Sequence, residues 1–195
     1  MGRTKRVIFF LTLLLLAGCG GSAGPAGKLV KQYGGPKTRP DPAAERFIVL
    51  AHPKSGERLE LTYYRKGRYD PSAMASIDQL FRDRRADAAG KIDPELIDFL
   101  VDIRTRLALP SSVVFEILDG YRTPGTNAAF KQRNGQVAKE SLHLHGWAVD
   151  FRISGVNGSA IAEVAKTMQR GGVSFYPSSN HVHVDLGNIR TWQTK

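Results

Sequence analysis

Four of the five histidines in this chain fall between residues 143 and 183: His143, His145, His181 and His183. Two aspartates stand among them, Asp150 and Asp185. Zinc accepts imidazole nitrogen and carboxylate oxygen, and a catalytic zinc site takes three protein ligands while keeping a fourth position for water. Alternation along strands sorts these candidates. In a strand over Trp147–Ile153, Ala148, Asp150 and Arg152 share one face, while Trp147, Val149, Phe151 and Ile153 share the other. In a strand over His181–Leu186, His181, His183 and Asp185 lie opposite Val182, Val184 and Leu186. If both apolar faces are core, the acids and imidazoles look outward on one surface. His143, Asp150 and His183 then form a ligand set for one zinc ion, which would lower the pKa of bound water and polarise a scissile carbonyl. Outward histidines are also ordinary surface residues, so spacing alone leaves both readings open.

The surrounding residues carry a resemblance. Ser141-Leu142-His143, Gly146, Ala148 and Asp150, followed by His181-Val182-His183-Val184-Asp185, resemble the LAS metallopeptidases, which include lysostaphin-type enzymes, D-Ala-D-Ala metallopeptidases and the hedgehog fold. The resemblance to the MepK-like murein endopeptidase branch takes in Gly67-Arg68-Tyr69-Asp70, Arg82-Asp83-Arg84, Ile92-Asp93-Pro94-Glu95-Leu96 and Gly120-Tyr121-Arg122-Thr123-Pro124. It continues through Thr126-Asn127, Gly171-Gly172-Val173, Tyr176-Pro177 and Arg190-Thr191-Trp192, covering roughly residues 46–192. It implies zinc on His143, Asp150 and His183, and hydrolysis of murein stem-peptide cross-links. It also implies that His181 activates water or steadies the transition state. The branch more often has an aromatic residue there, so the general base stays open between His181, Asp185 and the metal itself. Asp185 is equally a carboxylate that orients an imidazole. Arg122 matches an arginine used near the substrate carbonyl or carboxylate; a structural salt bridge is the other reading.

Other residues carry less. His145 shares an alternating face with His143 and is a decoy ligand. His52 reads as an exposed turn residue, Ser141 as a turn former, and Trp147 and Trp192 as packing residues. Arg82-Asp83-Arg84-Arg85 reads first as a solvated helix end and second as a wall-binding patch.

The elements that must position these groups follow from local signals. Arg46–Ala51 and Arg58–Tyr64 read as strands around a turn at Pro53–Gly56. Asp70 and Asp93, each followed by proline, cap two helices. Val113–Leu118 is a buried strand, Thr126 caps a short helix ending near Gly135, and Ser159–Arg170 is a helix stopped by Gly171-Gly172. Val173–Tyr176 is a further strand. The mixture predicts an α+β domain over residues 46–195, built on a mainly antiparallel sheet with flanking helices. The resemblance makes that fold hedgehog/D-Ala-D-Ala-peptidase-like.

Arg3, Lys5 and Arg6 precede an apolar run, Val7–Leu16, and then Ala17-Gly18-Cys19. This predicts an export signal over residues 1–18, since the run is too short to cross a hydrocarbon core, which needs roughly 20 residues. Its end resembles a lipobox, which implies a lipidated Cys19, and Gly20 after it favours the outer membrane of a Gram-negative host. Residues 19–45 are rich in Gly and Pro and read as a flexible tether. Cys19 is the one cysteine, which excludes an intrachain disulfide and a cysteine-ligated zinc site. The formal charge is +10, and loss of the three leader cations leaves +7. Outside the cytoplasm such a charge favours peptidoglycan or anionic lipid over nucleic acid. The resulting expectation is a periplasmic, lipid-anchored, monomeric murein endopeptidase. A D,D- or L,D-carboxypeptidase and a non-catalytic wall-binding lipoprotein are the rivals. A glycan hydrolase would need paired carboxylates in a cleft, and no pair stands out.

Overall fold

The computed structural model describes residues 39–134 and 140–193. The expected leader, Cys19 and the tether up to residue 38 lie outside the described residues. Strands β1 (Arg46–Ala51), β2 (Arg58–Arg65), β3 (Arg68–Tyr69), β4 (Val114–Asp119), β5 (Ala148–Ile153), β6 (Gly172–Tyr176), β7 (His181–Asp185) and β8 (Arg190–Gln193) form an eight-stranded sheet. Their order across it is β3-β2-β1-β4-β5-β7-β6-β8. The β1–β4 and β6–β8 pairings are parallel. The sheet is therefore mixed, which corrects the mainly antiparallel one expected. A parallel neighbour needs a crossover rather than a hairpin. Both parallel pairs join strands that are not consecutive in the chain, which no local signal reveals.

Four helices complete the α+β architecture: α1 (Pro71–Leu80), α2 (Pro94–Arg106), α3 (Pro124–Asn134) and α4 (Gly158–Thr167). None of the described helices is long and apolar enough to cross a membrane. Asp70 caps α1 through the amides of Ser72 and Ala73, and Asp93 caps α2 through Glu95. Helix α3 begins two residues before the expected cap: the Thr123 hydroxyl accepts from the Thr126 amide at 3.3 Å, and Pro124 takes the first helical position. Asn157 caps α4 through Ser159.

The apolar faces behave as the alternation predicts. Val149, Phe151, Ile153, Val182, Val184 and Leu186 are at most 1% exposed. They share one core with Phe99, Leu100 and Ile103 of α2 and with Ile161, Ala162 and Ala165 of α4. Each large side chain so buried contributes about 1.5–3 kcal/mol. A polar group braces α2 against the sheet. Fully buried Asp98 accepts from the Tyr63 and Tyr69 hydroxyls at 2.8 and 2.5 Å and pairs with Arg46 at 3.0 Å. Before β1, Pro40 is buried and its carbonyl accepts from the Tyr64 hydroxyl at 3.1 Å.

Candidate metal centre

The site forms where β4, β5 and β7 lie side by side. Register sets Asp150 of β5 opposite His183 of β7 and, across the other edge, opposite Asp119 of β4. An irregularity between Ile117 and Asp119 brings Asp119 into that place, as bulges do at strand ends. The third element is a 3-10 turn, Leu142–His145, closed by Gly146 at φ 67°. A Cβ on Gly146 would stand 2.0 Å from the Lys91 carbonyl oxygen, so both the conformation and the close approach require glycine. The turn is laced to the Gly120–Arg122 segment. The Arg122 amide donates to the His143 carbonyl at 3.1 Å, and the His143 Nδ1 lies 2.7 Å from the Gly120 carbonyl.

Those contacts assign the imidazole protons. A carbonyl oxygen can only accept, so His143 carries a proton on Nδ1 and turns Nε2 toward Asp150 Oδ1, 3.6 Å away. His183 lies between two carboxylates, with Nδ1 2.8 Å from Asp150 Oδ1 and Nε2 2.9 Å from Asp185 Oδ2. With the Nε2 proton given to Asp185, Nδ1 is the nitrogen that faces Asp150 and would bind a metal on losing its own proton. One donor atom from each of His143, Asp150 and His183 lies within 4.8 Å of the other two, a set that fits one ion.

Charge is concentrated and balanced here. Burial alone would raise the Asp150 carboxyl, but His143 and His183 hold it well below the usual carboxylate range. Burial opposes a charged His183, yet its bonds to Asp150 and Asp185 push it up to about 9. Asp150 divides its two oxygens, Oδ1 facing the imidazoles and Oδ2 meeting Arg122 Nη2 at 3.4 Å. Arg122 also donates to Asp119 at 2.9 Å.

Behind His183, Asp185 is fully buried and saturated. Its carboxylate accepts from the amides of Gly172 and Gly187 and from Arg190 at 2.6 Å. The Trp192 ring stands 5.1 Å from that of His183, and Arg190 lies over Trp192. The polar face of β7 is thus walled in, not outward: His183 is 8% exposed. Parallel β8, beside β6, carries Arg190 and Trp192 to that wall.

The profile of the family described as peptidoglycan L,D-endopeptidase MepK matches residues 41–192. The chain belongs to the MepK family. It is 36% identical over 148 residues to the probable peptidoglycan L,D-endopeptidase MepK of Haemophilus influenzae, covering 76% of this chain and 79% of that protein. It is 36% identical over 147 residues to the peptidoglycan L,D-endopeptidase MepK of Escherichia coli K12, covering 75% and 80%. No solved structure matches.

Within this MepK-family site the expected ligands, His143, Asp150 and His183, converge. Asp185 stands behind His183 rather than among the donors. His181 lies outside the cluster, its ring stacked on Tyr176 at 4.3 Å and its Nδ1 2.7 Å from the Ser179 hydroxyl. His145 belongs to the 3-10 turn, so strand alternation does not apply to it, and it packs on Trp147 at 5.0 Å. His52 is buried, not exposed, because Ser55 and Glu57 fold its turn around it. Asp119 went unpredicted. Its sequence neighbourhood reads as a core strand, and only the register irregularity puts its carboxylate beside Asp150.

Proposed function

We propose that this protein is a zinc-dependent endopeptidase that hydrolyses the stem-peptide cross-links of peptidoglycan, as the names of its MepK relatives suggest. The observation that carries the reading is the convergence of His143 Nε2, Asp150 Oδ1 and His183 Nδ1. Each side chain has its second polar atom already engaged by protein. Such outer contacts orient ligands and fix tautomers. Zinc, when bound, supplies a Lewis acid that polarises the scissile carbonyl and activates water. Arg122 holds the Asp150 oxygen that faces away from the imidazoles. Burial lowers the pKa of His181, which favours the neutral imidazole, a proton acceptor beside the cleft. Asp185 orients His183, so we assign it a positioning role. We read the sheet as the D-Ala-D-Ala-peptidase-like fold of the LAS group.

The test uses purified protein with sacculi, identifying released fragments by mass, beside a chelator control and Asp150→Ala. Cross-linked dimers converted to monomers only with metal and only with Asp150 are expected. Intact sacculi with a folded, metal-loaded protein would overturn the reading. We also propose that the protein is exported and held at the periplasmic face of a membrane, the outer one in a Gram-negative host, by lipid on Cys19. Cys19→Ser should then move it from the membrane fraction to the soluble one.

A further inference from the structure

A cleft of about 460 Å³ opens beside the metal centre. Its lining includes Asp119, Gly120 and His181, so it reaches the residues that hold His143 and flank Asp150. Part of its lining is apolar, with Phe81, Ile117 and Phe130, and part is cationic, with Lys54, Arg82, Arg84 and Arg85.

These four cations are not equivalent. Arg82 pairs with Glu57 and Asp87, and Arg84 pairs with Glu57. Among the described residues, Lys54 and Arg85 have no carboxylate within ion-pair distance. Arg85 is nevertheless held in place. Asp83 accepts from the amides of Arg85 and Ala86 at 3.0 and 3.3 Å, closing the loop that carries it. Its guanidinium lies over the Phe130 ring, 4.1 Å from the centre. A guanidinium placed over a ring can still present its N–H fork, and that fork matches a carboxylate. Beside an apolar lining the attraction is less screened than in open water.

We propose that Lys54 and Arg85 form a subsite for a free carboxylate of the peptidoglycan stem peptide, next to the bond held at the metal centre. The inference rests on the endopeptidase reading and adds a position to it. Arg122 lies over the same Phe130 ring, 4.9 Å from its centre, so the two guanidinium groups are at most about 9 Å apart. An extended chain rises about 3.3–3.6 Å per residue. A carboxylate held by Arg85 is therefore within about three extended residues of Arg122, which touches the metal ligand Asp150. Phe130 acts as the spacer, with Arg122 ordering the metal ligand and Arg85 ordering the substrate.

The test compares cross-linked stem-peptide dimers whose free carboxylates are intact with the same dimers amidated. Wild-type protein should show about tenfold higher kcat/KM on the acidic form, carried mainly by KM. Lys54→Gln/Arg85→Gln should reduce that ratio to near one, and Arg85→Glu should invert it. Arg106→Gln, on the exposed end of α2, should keep it. An unchanged ratio in the double variant, or equal wild-type rates on both dimers, would overturn the subsite. If wild-type protein cleaves neither dimer, the endopeptidase reading fails separately, and calorimetric binding of the two peptides still decides the subsite. Preferential binding of the acidic peptide, lost in the double variant, supports it; equal binding overturns it.

Discussion

Asp185 Oδ2 lies 2.9 Å from His183 Nε2 and binds Arg190 at 2.6 Å, so a fully buried carboxylate fixes which imidazole nitrogen faces the metal centre. Asp185→Asn should weaken metal binding by about 10–100-fold, as loss of an outer-shell carboxylate does elsewhere. Chelator competition with a fluorescent zinc indicator measures it. Arg190→Gln, which leaves the carboxylate in place, should have a smaller effect in the same direction.

Arg122 is bound by Asp119 and Asp150. Arg122→Lys keeps the charge but not the planar fork. We expect a fall in kcat of about tenfold or more with metal content retained, read by steady-state kinetics beside elemental analysis. Unchanged kcat would remove Arg122 from the machinery.

Gly146→Ala places a methyl group against the Lys91 carbonyl at a residue with φ 67°. A loss of about 2 kcal/mol or more is expected, together with weaker metal binding because the turn carrying His143 must shift. Gly125→Ala in α3 meets nothing within 4 Å. It should be neutral or stabilising by about 0.5–1 kcal/mol. Thermal unfolding of the metal-free proteins separates the two.

Burial would raise the Asp83 carboxyl, but hydrogen bonds from Thr126, Thr123 and nearby amides hold it at about 2, against an ordinary value of 3.8. A carboxylate depressed on folding stabilises above its unfolded pKa, and that contribution is lost as pH falls through the folded value. Roughly 2 kcal/mol should therefore disappear between about pH 4 and pH 2. Asp83→Asn should flatten that part of the stability curve in urea titrations at stepped pH.

Asp98 is fully buried and holds Arg46 with two tyrosine hydroxyls. Asp98→Ala leaves a buried guanidinium short of a partner and should cost about 3–5 kcal/mol, seen as a lower denaturation midpoint.

Much of this protein is legible along the chain because its signals are local. Asp70-Pro71 and Asp93-Pro94 start helices with their own side chains, and period-two alternation separates Val149 and Val184 from Asp150 and His183. The motif spacing likewise names the three residues that converge. What a side chain faces depends on which strand lies beside it, and that is decided by contacts far apart in sequence. Alternation puts His183 and Asp185 on one face, but only β8, arriving parallel to β6 with Arg190 and Trp192, turns that face into a wall. The irregularity at Ile117–Asp119 moves a carboxylate beside Asp150 where the sequence reads as plain core. The Thr123 cap, the burial of His52 and the stack of Arg85 on Phe130 belong to the same class. The sequence by itself determined the donor types, their faces and the helix starts, because capping and pleating act over a few residues. Only the tertiary structure decided which nitrogen of each imidazole faces the metal centre, how Asp185 and Arg190 close behind His183 and where the cleft runs, because those depend on how strands and turns pack and not on spacing along the chain.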